Sequence, residues 1–305
     1  MATKITRDII ESYLNCKYKG YLKLAEQHGV KSDYEVLLAE SRDEVKRWAT
    51  DRILVRHQEE QVERDLILTP AALKRGTAFL LNATLEDEYV SLTFDGLQRV
   101  SGPSKLGDFH YVPILFSEGR QIRKQQRALL GVFGHLITRL QGRAPGSGII
   151  WHGRQCHATR VRLNSDPRMS ERLLEELRQI QGGEVSCRLV LNEHCHICEF
   201  RQHCHHQGVQ EDTISLLRGM KEKEIKRHAR KGILTVTQLA HTFRPRRKGK
   251  RAPPSANRHS HALQASPCGT SRSSCSAPQS SRPAPCVSTS TLRGTPKKGL
   301  TTSSV

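Results

Sequence analysis

Residues 194–204 read HCHICEFRQHC, which sets Cys195, Cys198 and Cys204 in a C-x2-C-x5-C run. Two thiols three positions apart reach one metal from a single turn of chain, and the third closes another ligand position. Three thiolates complete neither a structural zinc site nor an iron–sulfur cluster, so a fourth ligand must come from a distant segment. Cys16, in the N-terminal stretch SYLNCKYKGYL, is the candidate. A metal centre on Cys16, Cys195, Cys198 and Cys204 would close whatever domain lies between them. The donors suit a [4Fe–4S] cluster. Zinc is the rival, because His194, His196, His203, His205 and His206 crowd the run and each offers a nitrogen ligand. Cys156 and Cys187 read as ordinary buried thiols, and Cys268, Cys275 and Cys286 show no paired spacing.

Outward from this run, the hydrophobic period changes along the chain. Residues 5–28 read as a helix with Ile9, Tyr13, Cys16 and Gly20 on one face. A second, charged helix is expected from Tyr34 to Arg64. From Tyr89 to Leu97 the pattern alternates, with Val90, Leu92 and Phe94 on one face of a half-buried strand. FHYVPILF, 109–116, reads as another strand, and its proline suggests an edge or a bulge. Residues 119–141 carry apolar side chains at helical spacing, GSGIIWHG (146–153) is a short buried strand, and 168–181 an amphipathic helix. Helices, then strands, then helix, strand and helix imply an α/β domain with a mixed sheet flanked by helices, over residues 1–208. A small helical unit follows over 209–243, with one helix from Met220 to Arg230, a turn at KGILT and a second helix from Val236 to His241.

The formal charge of +19 is uneven. No Asp or Glu follows Glu224, and residues 225–305 hold 16 of the 49 Lys and Arg, leaving 33 basic against 30 acidic residues before them. The surplus is that of a tail that meets nucleic acid or another polyanion, or of a plain solvated tail. Over 266–305 there is no Phe, Tyr, Trp, Ile or Met, and 22 of the 40 residues are Ser, Thr or Pro. Such a segment cannot bury enough apolar area to offset its ordering entropy, so 244–305 is expected to be a disordered basic tail. The charged, amphipathic start MATKITRDIIESYL lacks an apolar signal core, and no stretch approaches a membrane span. A cytoplasmic protein with no membrane partner is the expectation. Cysteines in that reducing compartment point to metal or redox chemistry.

One cysteine on an N-terminal helix, a domain of nuclease size and then C-x2-C-x5-C together resemble the iron–sulfur branch of the RecB-type nucleases, which includes the AddB-type and CRISPR-associated exonucleases. More narrowly, the chain resembles bacterial RecB-like nuclease proteins in which the cysteines are followed by a helix-hairpin-helix segment, here DTISLLRGMKEKEIKRHARKGILTVTQLAHTFRPRR. The likeness covers roughly residues 5–251. It implies a PD-(D/E)xK, restriction-endonuclease-like fold in which the cluster clasps the two ends of the domain. It also implies a DNA partner, a place in DNA repair or recombination and a helicase or repair protein as a possible partner.

The resemblance further implies a metal-dependent site, with one carboxylate ending a strand and a second carboxylate and a lysine on the next. These hold Mg²⁺ or Mn²⁺ and position water. Asp95 in LTFDGL matches the first carboxylate, although an Asp before Gly96 also suits a turn. Where the second motif should fall, Ile114, Leu115, Phe116 and Ser117 stand instead. Glu118 is the nearest carboxylate, Lys124 a displaced lysine, and Gln126 or Gln125 the supporting helix glutamine. Weak or absent cleavage is expected. Asp108 after Gly107 reads as a turn residue.

In helix-hairpin-helix modules a glycine turn exposes backbone N–H groups at a helix start, and these bind phosphate without reading sequence. Here the resemblance makes Gly232 the turn and Thr235 the cap, with Lys226, Arg227, Arg230 and Lys231 around them. A plain helical hairpin with a solvated basic face is the alternative. The abrupt change of composition after RPRRKGKR and HALQA is what a truncation or frame change near Ala265 would produce. A native basic tail is the other reading.

Overall fold

The chain begins with a change of direction rather than one long helix. Strand β1 (Ile5–Thr6) leads into α1 (Arg7–Asn15), and α2 (Lys17–Leu24) follows after a single extended residue, Cys16. Thr6 caps α1, its Oγ1 accepting the Ile9 N–H. The continuous helix expected over 5–28 is therefore corrected. Cys16 at φ −156° and ψ 117° breaks it, and the two short helices cross so closely that a Cβ on Gly20 would lie 2.7 Å from Tyr13 Cβ. The computed structural model describes residues 3–57, 61–163, 167–242 and 261–265. The RPRRKGKR segment, the tail after Ala265 and its cysteines lie outside them.

Ser32 opens α3 (Asp33–Arg56) through a capping box with Glu35. This helix stops eight residues short of the expected Arg64, because Val62–Arg64 is strand β2. Then come α4 (Pro70–Lys74), β3 (Phe79–Glu86), β4 (Val90–Ser104), β5 (Gly107–Ser117), α5 (Lys124–Gln141), β6 (Ser147–His152), β7 (His157–Arg162) and α6 (Pro167–Gln181). A 3₁₀ turn at Glu193–Ile197 precedes α7 (Arg201–Gln210), and the chain continues through α8 (Glu222–Ala229), α9 (Val236–His241) and α10 (His261–Ala265).

The result is an α/β fold with a mixed seven-stranded sheet flanked by helices. Six strands run in the order β2-β3-β4-β5-β6-β7, and β1 pairs with β4. β5 and β6 are parallel across the α5 crossover, whereas β3/β4, β4/β5 and β6/β7 are antiparallel. One face packs against α1, α5 and α6 through Ile10, Phe133, Leu136 and Leu177; the other packs against Val45, Ala49 and Ile53 of α3.

Pro113 is not on an edge, since β5 has β4 on one side and β6 on the other. The N–H and C=O of Tyr111 are taken by the Gln141 side chain on the side away from β4, so Pro113, two residues on, points its nitrogen the same way. The ladder to β6 starts only at Ile114, and the missing donor costs no bond. β4 also slips in phase. Phe94 and Leu97 both lie in the same cluster, and Asp95 falls opposite Asn82, which adopts φ +52°. That slip turns Asp95 out of the alternation that Val90, Leu92 and Phe94 obey.

Candidate metal centre

The four predicted cysteines come together. Cys16, Cys195, Cys198 and Cys204 line one pocket with Lys19, Leu189, His194 and Phe200. Cys16 arrives from the joint between α1 and α2, Cys195 and Cys198 from the 3₁₀ turn and its end, and Cys204 from α7. Cys198 and Cys204 are buried in a small cluster with Tyr18, Leu22, Leu189 and Phe200, and Cys16 packs against it. Of the five histidines, His194 lines the pocket, while His196, His203, His205 and His206 are exposed.

The two ends are locked by polar contacts as well. Lys19, 9% exposed, sets its ammonium 2.8 Å from Glu35 and 2.9 Å from Glu199, whose side chains are also largely buried. Burial works against the Lys19 charge, but the two carboxylates outweigh it and its pKa rises. Glu199 also takes Lys23 at 3.1 Å, and its carbonyl accepts the Val30 N–H. Ser32 donates to the Ile197 carbonyl at 2.7 Å, and Tyr18 to Gln207 at 2.6 Å. A Cβ on Gly29 would stand 2.7 Å from the Glu199 carbonyl oxygen, so this loop lies directly on the cysteine segment.

Burial pushes the Cys195 and Cys198 thiols up, and it pushes Cys204 up to about 12, with the other cysteines adding to the effect. The thiols therefore hold their protons at neutral pH, and a metal ion that binds must expel them. Glu35, His194 and Cys198 offer three ligating atoms within 4.8 Å of one another, a group able to hold a metal ion. Among the described residues no three of the four cysteine sulfurs meet that limit.

The carboxylates of the expected nuclease site are already engaged. Asp95, 5% exposed, takes Arg7 Nη1 at 2.5 Å on one oxygen and the Phe116 N–H at 2.7 Å on the other. Arg7 also reaches Glu11 at 2.7 Å; Glu11 takes Arg42 at 2.7 Å, and Arg42 approaches Glu118 at 3.4 Å. The chain Asp95–Arg7–Glu11–Arg42–Glu118 thus alternates in charge. Burial alone would raise the Glu11 carboxyl, yet Arg7 and Arg42 outweigh it and hold it below the usual range. Lys124 is exposed at the start of α5 and Gln125 beside it; Asp108, expected in a turn, is instead an exposed residue at the start of strand β5, the turn being Lys105 and Leu106. Gln126 donates to Ser117 Oγ and accepts the Arg123 N–H at 2.7 Å, so it ties the end of β5 to the start of α5.

The helical hairpin forms where expected, with Gly232 at φ +74° and Thr235 as the α9 cap. Its backbone donors are not free, however. Lys231, Gly232 and Ile233 donate to the carbonyls that end α8. Leu234 and Thr235 donate to Gln238 Oε1, Val236 to the Asp212 carbonyl, Thr237 to Asp212 Oδ2, and Gln238 to Thr235 Oγ1. The expected phosphate-binding route through backbone N–H groups is therefore closed, with a carboxylate standing at the helix start. The exposed side chains of Lys226, Arg227, Arg230 and Lys231 remain, although Lys226 pairs with Glu222 at 2.5 Å.

Sequence reasoning passed over Arg7, Glu11 and Arg42, whose roles depend on α1 and α3, from opposite faces of the sheet, meeting through the Arg42–Glu11 pair beside Asp95 and Glu118. It also passed over a legible signal: no Asp or Glu lies between Glu118 and Asp166. Arg120, Arg123, Lys124, Arg127 and Arg154 are exposed within that span. The Gly153 N–H donates to the Ser117 carbonyl at 3.3 Å, which brings the β6–β7 turn beside the loop after β5. The basic side chains of both thus collect at the carboxyl ends of two parallel strands, where open α/β sheets bind ligands. No helix among the described residues is long and apolar enough to cross a membrane. No protein-family model and no curated protein matches the chain.

Proposed function

We propose that this chain is a DNA-binding protein of RecB-nuclease type, in which a [4Fe–4S] cluster clasps a PD-(D/E)xK-like domain and the cleavage site is silent or weak. It would act in the cytoplasm, in DNA repair or recombination. The observation that carries the reading is the convergence of Cys16 with Cys195, Cys198 and Cys204 in one pocket, from opposite ends of the domain. Four thiols lining one pocket suit a [4Fe–4S] cluster and a Cys₄ zinc site alike, and the resemblance to the iron–sulfur branch favours the cluster. The cluster would supply a rigid bond between α2 and the cysteine segment. The chain's own residues prepare that bond through Lys19, Glu35, Glu199 and Ser32.

Arg7 and Arg42 support the silent site. They neutralise Asp95, Glu11 and Glu118 where Mg²⁺ or Mn²⁺ would need them. DNA binding is supported by the basic surface at the ends of β5 and β6 and by the side chains of α8, which contact phosphate without reading sequence. The test is the full chain purified without oxygen. It is expected to be coloured, to bind duplex DNA of any sequence with affinity falling steeply in salt, and to digest it negligibly with Mg²⁺. Colourless protein holding one zinc per chain, or affinity indifferent to salt, would overturn the reading.

A further inference from the structure

His194 is a polar group at the metal centre that a four-cysteine cluster leaves without a task. Its Nε2 is buried and has no hydrogen-bond partner, while its backbone N–H is held at 2.9 Å by Asn192 Oδ1. The ring lines the same pocket as the cysteines, and its donor atom lies within 4.8 Å of Cys198 Sγ and of a Glu35 carboxylate oxygen. Donors bound to one zinc ion at about 2.0–2.3 Å sit about 3.5 Å from each other in a tetrahedron, so a small contraction brings these three onto one ion. A nitrogen, a sulfur and a carboxylate oxygen are also the donor mixture that zinc and neighbouring divalent ions accept.

We infer that the pocket has a second metal-binding mode, in which Cys198, His194 and Glu35 hold a single zinc-type divalent ion when no cluster is present. The Cys198 thiol gives up its proton to solvent on binding. Glu35 keeps Lys19 on Oε1 at 2.8 Å, and its Oε2 makes only a 3.4 Å contact with the Ser32 N–H, which the ion would replace. Water or Cys195 completes the tetrahedron. Lys19 and Glu199 hold Glu35 in place, so the same contacts that prepare the clasp also prepare this site. The mode stands whether or not the cluster reading does.

The test uses the full chain produced in iron-poor, zinc-supplemented medium, so that the ion loads during folding. X-ray absorption at the zinc edge is expected to show nitrogen and oxygen neighbours near 2.0–2.1 Å with no more than two sulfurs near 2.3 Å. Zinc content is expected to be one per chain, to fall at least tenfold in His194→Ala, and to persist in Cys16→Ser. Three or four sulfurs in the shell would overturn the proposal without any variant, as would wild-type protein that retains no zinc. Equal zinc in wild type and His194→Ala would overturn it too. The cluster reading fails separately, by the absence of iron and sulfide from wild-type protein made in iron-replete medium.

Discussion

Arg7→Ala removes the cation that holds Asp95. The aspartate side chain is 6% exposed, and its ion pair with Arg7 spans 2.5 Å, so the variant leaves a nearly buried carboxylate whose remaining bond is the Phe116 N–H. Breaking a buried pair by removing one partner costs about 3–5 kcal/mol. The surviving Phe116 bond and the partial exposure of Arg7 place this case at the low end, about 3 kcal/mol. With a urea slope of about 3 kcal/mol per molar, the unfolding midpoint should drop by about 1 M. The assay compares wild type, Arg7→Ala, Asp95→Asn and the double variant, all at equal metal content. An asparagine keeps an acceptor for Phe116 but carries no charge, so the double variant should recover more than about 1 kcal/mol relative to Arg7→Ala, a coupling larger than exposed pairs give. A midpoint shift under about 0.3 M, or no recovery in the double variant, would refute the view that Arg7 neutralises a buried carboxylate.

Lys19→Met should leave Glu35 without its cation and Glu199 with Lys23 alone, and lower stability by about 3 kcal/mol; chelator-driven loss of the metal should also accelerate, and an unchanged loss rate would detach this network from the clasp. Thr235→Ala should cost about 1 kcal/mol as a lost helix cap yet leave DNA affinity unaltered. Reversing Lys226, Arg227, Arg230 and Lys231 to Glu should weaken DNA binding and flatten its salt dependence; the opposite ranking of these two variants would restore the backbone-donor route. Wild type and Asp95→Ala should be alike in showing negligible Mg²⁺-dependent digestion of DNA, and robust wild-type digestion that Asp95→Ala abolishes would contradict the silent site.

The gathering of the four cysteines in one pocket was legible because ligand spacing is local for Cys195, Cys198 and Cys204, and because Cys16 stands isolated in a helical stretch. The helix break at Cys16 was not legible, since no Gly or Pro marks it and the crossing of α1 over α2 depends on tertiary packing at Gly20. β3 escaped notice for a related reason. FLLNATLE lies inside the sheet with its apolar side chains divided between both faces, so it shows no alternation. The β4 alternation was visible up to Phe94, but the slip that turns Asp95 toward Arg7 arises from a cross-strand irregularity at Asn82. The hairpin's turn and cap were readable as Gly232 and Thr235. That Asp212 would occupy the start of α9 was not, because it reaches there from across the segment.

The most direct test of the central claim is iron and acid-labile sulfide per chain, measured side by side in wild type and Cys16→Ser after oxygen-free purification from iron-replete cells. Four thiolates on one cluster predict about four irons and about four sulfides in wild type, with both falling sharply in Cys16→Ser although the C-x2-C-x5-C run is intact. Iron and sulfide that are absent from wild type, or present in full in Cys16→Ser, would contradict it.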